Sequence, residues 1–309
     1  MELSDKLKRL FYLVILLLFA GAIYLNRDKI YSLANTYLSS FRTVSLGEVN
    51  QYYRDYNFEF VQNTDNFYPQ NEQDILNIYY TVINAGKNSF TFYCPDEYEE
   101  CLTEIQNLAN DQDKLSDINN YVHPFNGFSH IETEYDSLGR VTINITKTYS
   151  EEDIDKINSE VDRLLVELTS DSYSSYDNIK NVHDYIINHT SYDTVKNTTG
   201  ESDYHSNTAY GPLFEGHGIC GGYTDLMQLF LEKLGIESFR VSSDKHVWNA
   251  VYYNNRWVHL DLTWDDPVAN DGNNYLEYHY FLIDTHKLLS IETTEHTFNQ
   301  SRYPELKEA

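Results

Sequence analysis

The sequence predicts an α+β protein, because it combines amphipathic helices with antiparallel β-hairpins. Residues 154–168 repeat Ile, Val and Leu at the three- and four-residue spacing of a helix. Residues 247–262 contain two β-rich runs of alternating polarity, separated by a two-residue turn signal. An apolar run at residues 10–25 adds an N-terminal membrane helix to this fold.

The composition predicts a folded, acidic protein. The 309 residues are 41% hydrophobic and 15% aromatic, which is enough to bury a core in two modest domains or one large one. The formal net charge of −26 argues against a nucleic-acid partner, because binding to phosphates needs clustered Lys and Arg. We therefore expect no nucleic acid among the partners.

The N-terminal apolar run is interpreted as an export signal. Residues 10–25 follow Lys6, Lys8 and Arg9, which favours a single-pass anchor with its N-terminus inside. Secretion after cleavage is the alternative, since the small residues at 20–22 resemble a signal-peptidase site. We expect residues 1–30 to form the anchor, a helix to continue over residues 28–42, and the rest of the chain to be extracytoplasmic.

The spacing of the three cysteines divides them into one candidate disulfide pair and one single thiol. Cys94 and Cys101 lie close together, and an exported chain meets a non-reducing environment, so they form either a local disulfide or two ordinary buried thiols. If they pair, Cys220 is left as an unpaired, reactive thiol.

Residues 31–149 are expected to form a small α/β module of unknown role. Its predicted elements are a helix over residues 72–85, a strand over residues 89–93 and a helix over residues 97–108. A hairpin is predicted over residues 128–149, where Val and Ile alternate with Thr and Asn beside a glycine-containing turn.

Residues 150–309 are expected to form the second domain. Ser150 caps an amphipathic helix that runs to Leu168, and a second helix follows over residues 176–188. A polar stretch at residues 189–207 predicts a loop that leads to the thiol motif.

Cys220 lies in a glycine-rich turn, GICGGY at residues 218–223, that leads into a helix ending at Gly235. A cysteine at a helix N-terminus is favoured as the thiolate by the helix dipole, and the unpaired N–H groups there can stabilise an oxyanion. The alternative is a cysteine that is merely packed at a turn.

The turn signal at Asn254 and Asn255 relates His246 to Asp261. A two-residue hairpin turn there pairs Trp248 with Asp261, which places His246 and Asp261 on one face of the sheet as diagonal neighbours. Their Cα atoms would be about 7–8 Å apart, so the side chains can meet. A turn of odd length would place them on opposite faces.

His259 falls opposite Ala250 on the same sheet face and could line the cleft. It lacks an orienting partner, so it is not the expected base. Asp265 and Asp266, which precede Pro267, are expected to end the strand and shape a turn.

A thiol, an imidazole and a carboxylate together satisfy the needs of nucleophilic catalysis. The base takes the proton of the thiol, and the carboxylate holds the base in the productive tautomer. We therefore expect Cys220, His246 and Asp261 to be catalytic. A zinc site that also uses His217 is a minor alternative, because the chain lacks the paired close ligand spacings of structural zinc sites.

These residues resemble the transglutaminase-like superfamily, the papain-related thiol fold that includes transglutaminases, peptide N-glycanases and many bacterial proteins. The resemblance is carried by the motifs GICGGY (residues 218–223), HVWN (246–249) and DLTWDDP (261–267), together with Trp257. It begins near residue 154 or 176 and extends to residue 284. The first 150 residues are not explained by it.

The resemblance implies Cys220 as nucleophile, His246 as general base and acid, and Asp261 as the residue that orients His246. It implies a papain/transglutaminase-like core, in which a central helix starting at the cysteine packs on an antiparallel sheet. Tyr210 occupies a position where related sequences carry an aromatic side chain, so Tyr210, Gly221 and Trp248 are expected to bind substrate or the oxyanion. No cofactor is implied, since the calcium-binding segments of animal transglutaminases have no counterpart here.

The expected function is that of a membrane-anchored, extracytoplasmic thiol enzyme that acts on amide or peptide bonds through a thioester. Resolution by water gives a protease or amidase, and resolution by an amine gives a protein-glutamine acyltransferase. The expected partners are protein or peptide substrates, including cell-wall peptides, at a bacterial cell surface. The alternative is a non-catalytic scaffold that binds peptide or glycan in a Tyr-rich cleft.

Overall fold

The computed structural model describes residues 2–27, 29–30, 44–268, 275–291 and 294–307, without the side chains of residues 2–6. Most of the helix expected over residues 28–42 lies outside this set. The chain divides into two compact units, Met1–Ser45 and Leu46–Ala309. The domain boundary expected between residues 149 and 150 falls inside the second unit.

The first unit contains helix α1 (Glu2–Leu25). Its span Leu7–Leu25 has 19 residues and a mean hydropathy of 1.9, and none of it is buried within the protein. It is therefore long and apolar enough to cross a membrane, a property that N-terminal signal sequences share.

The second unit contains the other α-helices and the strands of the described residues. Its helices are α2 (Glu72–Asn84), α3 (Cys101–Asn110), α4 (Gln112–Asn120), α5 (Glu151–Leu168), α6 (Ser175–His189), α7 (Thr194–Thr199), α8 (Cys220–Lys233) and α9 (Thr285–Ile291). Its strands are β1 (Ser89–Tyr93), β2 (Phe128–Tyr135), β3 (Arg140–Lys147), β4 (Ser191–Tyr192), β5 (His217–Gly218), β6 (Ser238–Ser242), β7 (Val247–Tyr253) and β8 (Arg256–Leu260).

The N-terminal part of this unit is an antiparallel sheet in the order β1-β3-β2, together with helices α2 to α4. The expected strand and hairpin are present. Helix α3 begins four residues later than predicted, because the chain forms turns after Pro95. Helix α4 was not predicted, since Leu115 and Ile118 are its only large apolar side chains.

Cys94 at the end of β1 and Cys101 at the start of α3 are joined by a disulfide, with Cα atoms 5.8 Å apart. Cys220 is the free cysteine, and its side chain is partly exposed. The bond closes the turn between β1 and α3.

The C-terminal part is built around α8, which packs against β6, β7, α5 and α6. Ten of its fourteen residues are buried, because it is enclosed by a sheet and by other helices. The sheet is antiparallel in the order β6-β7-β8. This is the arrangement expected of a central helix that begins at the cysteine.

The β7–β8 hairpin has the predicted register. Asn249 pairs with Leu260 and Ala250 with His259, as a two-residue turn requires. The turn residues Asn254 and Asn255 have φ values of 52° and 60°, which Asn tolerates better than most residues and which match a type I′ turn.

The stretch over residues 189–207 is not wholly a loop. It contains β4, which pairs in parallel with β5 just before the thiol helix, and the short helix α7. After α9, the C-terminal segment (residues 294–307) runs back across the unit, and the buried ring of Tyr303 contacts Tyr121 and Phe239.

Candidate active site

Cys220 is the first residue of α8, at the positive end of the helix dipole. The preceding residue, Ile219, provides no side-chain cap, and its carbonyl accepts the N–H groups of Gly222 and Tyr223 at 2.9 Å and 3.2 Å. The two glycines that follow allow the approach of the preceding chain. A Cβ on Gly221 would lie 2.7 Å from Oδ1 of Asn207, and one on Gly222 would lie 2.4 Å from the carbonyl oxygen of Ser206.

Two hydrogen bonds fix the thiol helix against the strand that follows His246. One turn into α8, the Thr224 hydroxyl donates to the carbonyl of Val247 at 3.0 Å. In return, the side-chain amide of Asn249 donates to the carbonyl of Thr224 at 3.1 Å. These reciprocal bonds set the position of the Cys220 helix relative to His246.

His246 and Asp261 meet just beyond the paired ends of β7 and β8. Nε2 of His246 is 2.5 Å from Oδ2 of Asp261, which leaves Nδ1 as the ring nitrogen for the hydrogen bond with Cys220. The other carboxylate oxygen, Oδ1, accepts the backbone N–H groups of Thr263 at 2.9 Å and Trp264 at 3.3 Å. The carboxylate is therefore fixed on both of its oxygens.

The buried pair has shifted proton affinities. Burial by itself would lower the pKa of His246, but the charge and hydrogen bond of Asp261, with those of Cys220, raise it to about 10. Burial would raise the pKa of Asp261, but the charges and hydrogen bonds of His246 and His296 hold it well below its usual range. The imidazolium–carboxylate pair is thus favoured at neutral pH.

Trp248, expected to contact substrate, is fully buried. Its ring lies parallel to that of His246, and its Nε1–H donates to Nδ1 of His259 at 2.9 Å. His259 is also fully buried, and burial, with the nearby His296, lowers its pKa to about 3. Trp248 therefore packs on the ring of His246, and His259 holds the indole of Trp248 by this hydrogen bond.

His296 is a site residue that the sequence reasoning missed. Its Nε2 is 2.8 Å from the same Oδ2 of Asp261 that contacts His246, and its side chain is fully buried. It belongs to the C-terminal segment, 35 residues beyond Asp261, and no local motif marks it.

Tyr192 is a second missed neighbour of the thiol. Strand β4 pairs it with Gly218, two residues before Cys220. Burial, followed by the charges of Cys220, Glu295 and Asp261, raises the pKa of Tyr192 to about 12. By contrast, the ring of Tyr210 contacts His205 and Phe214, and within the described residues no ring contact or hydrogen bond joins it to Cys220, His246 or Asp261.

Asp265 and Asp266 do more than shape a turn. Both are buried: Asp265 lies 3.2 Å from Nε2 of His183, and Asp266 accepts the hydroxyl of Tyr223 at 2.5 Å. Strand β8 has already ended at Leu260. The two carboxylates attach the chain after Asp261 to α6 and α8.

Within the part of the chain that the structure describes, His246, Asp261 and His296 are spaced suitably for a cation, since their ligand atoms lie within 4.8 Å of one another. The two nitrogens are, however, at hydrogen-bond distance from one carboxylate oxygen, whereas zinc needs unprotonated nitrogens and usually four ligands. His217, the zinc ligand considered from the sequence, stacks on Tyr204 and lies outside this group. These three side chains therefore fit a hydrogen-bonded cluster better than a metal site.

A partly exposed thiol at a helix N-terminus, followed by an imidazole and a buried carboxylate, is the residue set of a thiol enzyme. Residues 162–262 match the sequence profile of the transglutaminase-like superfamily. The chain therefore carries a domain of this superfamily, and the recognition made from the motifs is confirmed.

Two solved structures resemble parts of the chain. One, described as a TGase, is 16% identical, with 44% of this chain and 45% of that chain covered and a TM-score of 0.34. The other is a candidate cysteine protease from Cytophaga hutchinsonii, 14% identical, with 48% and 65% covered and a TM-score of 0.28.

The chain thus spans less than two thirds of either structure. No curated protein matches its sequence. The family match, with α8 on its antiparallel sheet, confirms the expected α+β core of the papain/transglutaminase type.

Proposed function

We propose that the protein is a thiol enzyme that cleaves or transfers amide bonds, with Cys220 as nucleophile, His246 as base and acid, and Asp261 as orienting carboxylate. One observation carries this proposal. Asp261 holds Nε2 of His246 at 2.5 Å, which leaves Nδ1 as the nitrogen for the thiol.

The reaction follows from the favoured charge state of His246 and Asp261, an imidazolium paired with a carboxylate. The Cys220 thiolate attacks the substrate carbonyl carbon, the C–N bond breaks, and His246 gives its proton to the departing amine. A thioester remains on Cys220. Water or a second amine then loses its proton to His246 and attacks the thioester, which restores the thiolate and the imidazolium.

The charge on the carbonyl oxygen needs hydrogen-bond donors in both steps. The backbone N–H groups of Cys220 and Gly221, at the start of α8 where no side chain caps the helix, would provide them. The hydroxyl of Tyr192, held beside the thiol by β4, is a better second donor than Tyr210, because Tyr192 is the tyrosine near the charge of Cys220.

We propose protein or peptide substrates, including cell-wall peptides, and a location outside the cytoplasm with α1 as the anchor. The length and apolar character of Leu7–Leu25 support membrane insertion. The basic residues Lys6, Lys8 and Arg9, at the N-terminal end of this helix, support an N-terminus inside. Cleavage after the span would instead release the domain.

The test incubates the full chain, in detergent micelles, with casein and a fluorescent primary amine. Incorporation of label indicates transfer and peptide fragments indicate proteolysis, and either activity should be lost in Cys220→Ala.

Iodoacetamide alkylation of Cys220 tests the site without a substrate. We expect rapid reaction well below pH 8 and its loss in His246→Ala. Equal alkylation rates in the two proteins would contradict the enzyme and favour the scaffold.

A further inference from the structure

We propose that His296 is a positioning residue for the Cys220 site, brought there by the C-terminal segment. The inference rests on the proposed function and extends it to a residue beyond the 162–262 range that defines the family match. It assigns His296 the task of holding Asp261 in the orientation that His246 needs.

The first argument is the hydrogen-bonding of Asp261. Its Oδ2 faces two imidazole nitrogens, Nε2 of His246 at 2.5 Å and Nε2 of His296 at 2.8 Å. Two backbone N–H groups contact Oδ1. A carboxylate that is 1% exposed stays ionised only when such donors replace water. His296 is thus one of four donors to one buried charge.

The second argument is the fixed orientation of the His296 ring. It stacks on Tyr280, with centroids 5.0 Å apart and planes inclined by 16°. The edges of Trp248 and Trp264 pack against it, at centroid distances of 4.9 Å and 5.2 Å. Three aromatic rings thus direct Nε2 at the carboxylate.

The third argument is the attachment of the segment that carries His296. The Ser243 hydroxyl donates to the carbonyl of Glu295 at 2.5 Å and accepts the backbone N–H of His246 at 3.2 Å. Farther along, the Tyr121 hydroxyl donates to the carbonyl of Arg302 at 2.6 Å. The segment is therefore bonded both to the site and to the N-terminal module.

Loss of the donor on residue 296 frees one side of Oδ2, so Asp261 and then His246 can move away from the thiol. A displacement of about 1 Å at a reacting group costs on the order of 100-fold in rate. We therefore expect a slower reaction of Cys220 with little change in the folded structure.

Three variants separate hydrogen bonding from packing. His296→Gln retains an N–H at the position of Nε2, His296→Asn is polar but too short to reach Oδ2, and His296→Phe retains a ring without a donor. The readout is the alkylation rate of Cys220 by iodoacetamide between pH 5 and 8, with circular dichroism melts to verify folding. No substrate needs to be known.

We expect His296→Phe and His296→Asn to react about 10- to 100-fold more slowly than the unchanged protein, and His296→Gln to recover most of the rate. Fast alkylation in His296→Phe with slow alkylation in His296→Gln would show a packing role and overturn the inference. If His296→Phe does not fold, the Gln and Asn variants decide the question alone, and equal rates in those two would overturn the inference.

Two controls distinguish a failure of the proposed function, or metal binding at the site, from a failure of the positioning role. If the unchanged protein reacts no faster than His246→Ala, the proposed function fails whatever His296 does. If EDTA slows the alkylation of Cys220 in the unchanged protein to the rate of His296→Phe, then His246, Asp261 and His296 bind a metal. That result would overturn the positioning role of His296 and leave Cys220 as the nucleophile.

Discussion

The indole ring of Trp248 lies parallel to the imidazole ring of His246, with centroids 5.6 Å apart and planes inclined by 16°. The same indole donates its N–H to Nδ1 of His259, which is buried and contacts the hydroxyl of Thr285 through Nε2. A hydrogen-bonded chain therefore runs from the ring behind His246 to helix α9. The orientation of His246 thus depends on Trp248, His259 and Thr285, which are all buried.

Substitution of Trp248 tests this support. Trp248→Phe should retain the ring beside His246 but leave Nδ1 of His259 as a buried acceptor without its donor, at a cost of about 1–3 kcal/mol. We expect that loss in the free energy of unfolding, measured with urea, and little change in Cys220 alkylation. Trp248→Leu removes the ring and should slow alkylation. Equal alkylation rates in the two variants would contradict the role of the ring.

Asp261→Asn should lower the reactivity of Cys220 without creating a cavity at the site. An amide keeps the shape of the side chain but removes the charge that stabilises imidazolium, so the pKa of His246 should fall from about 10. Alkylation near pH 7 should slow by about 10- to 30-fold, because an ordinary thiol with a pKa of about 8.5 is only about 3% thiolate at that pH. The fast alkylation that depends on imidazolium should also end at a lower pH. Asp244→Asn, on an exposed loop, is the matched control and should leave the profile unchanged.

Asp266 should make stability depend on pH in the weakly acidic range. Burial, partly offset by the hydroxyl of Tyr223, raises the pKa of Asp266 to about 6 from 3.8. The folded state then keeps a proton that the unfolded state loses, so the free energy of unfolding should fall as pH rises from 4 to 6. A shift of this size corresponds to at most about 3 kcal/mol.

Asp266→Asn should therefore be as stable as the unchanged protein at pH 4 and more stable at pH 7, because its amide carries no charge to bury. Urea denaturation at both pH values measures the difference. A stability gain of equal size at both values would contradict titration of Asp266. Tyr223→Phe, which removes the hydrogen bond to the carboxylate, should steepen the fall between pH 4 and 6.

The Cys94–Cys101 disulfide should stabilise the second unit without affecting the thiol site. Closing a short loop of this length is worth about 2–3 kcal/mol in chain entropy. We expect that loss of unfolding free energy in Cys94→Ser/Cys101→Ser, and the same loss when the unchanged protein is reduced. Three titratable thiols in the unreduced, denatured protein would contradict the bond. Alkylation of Cys220 should be equal in both proteins.

The parts of the fold that depend on local chemistry could be predicted from the sequence. The Asn254–Asn255 turn fixes the register of β7 and β8, because only a two-residue turn with positive φ matches the twist of the strands. That register brings His246 to Asp261. The glycines beside Cys220 likewise predicted a turn leading into a helix, and the approach of residues 206–208 to them emerged only from the structure.

Long-range contacts could not be predicted in this way. His296 and Tyr192 reach the site through contacts between distant segments, and neither lies in a motif or has periodic neighbours. Trp248 was expected in the cleft because its motif was known, but the alternation of β7 says only which face it occupies. Whether that face meets substrate or the C-terminal segment depends on tertiary packing.

The attachment of His296 to Asp261 links the thiol site to the docking of the C-terminal segment. The residue that completes the carboxylate's set of donors follows α9, and its segment is also bonded to Tyr121 of the N-terminal module. Undocking of that segment would withdraw the His296 donor from Asp261 and leave Cys220 and His246 on their own elements. The reactivity of the thiol would thus fall whenever that segment separates from the N-terminal module.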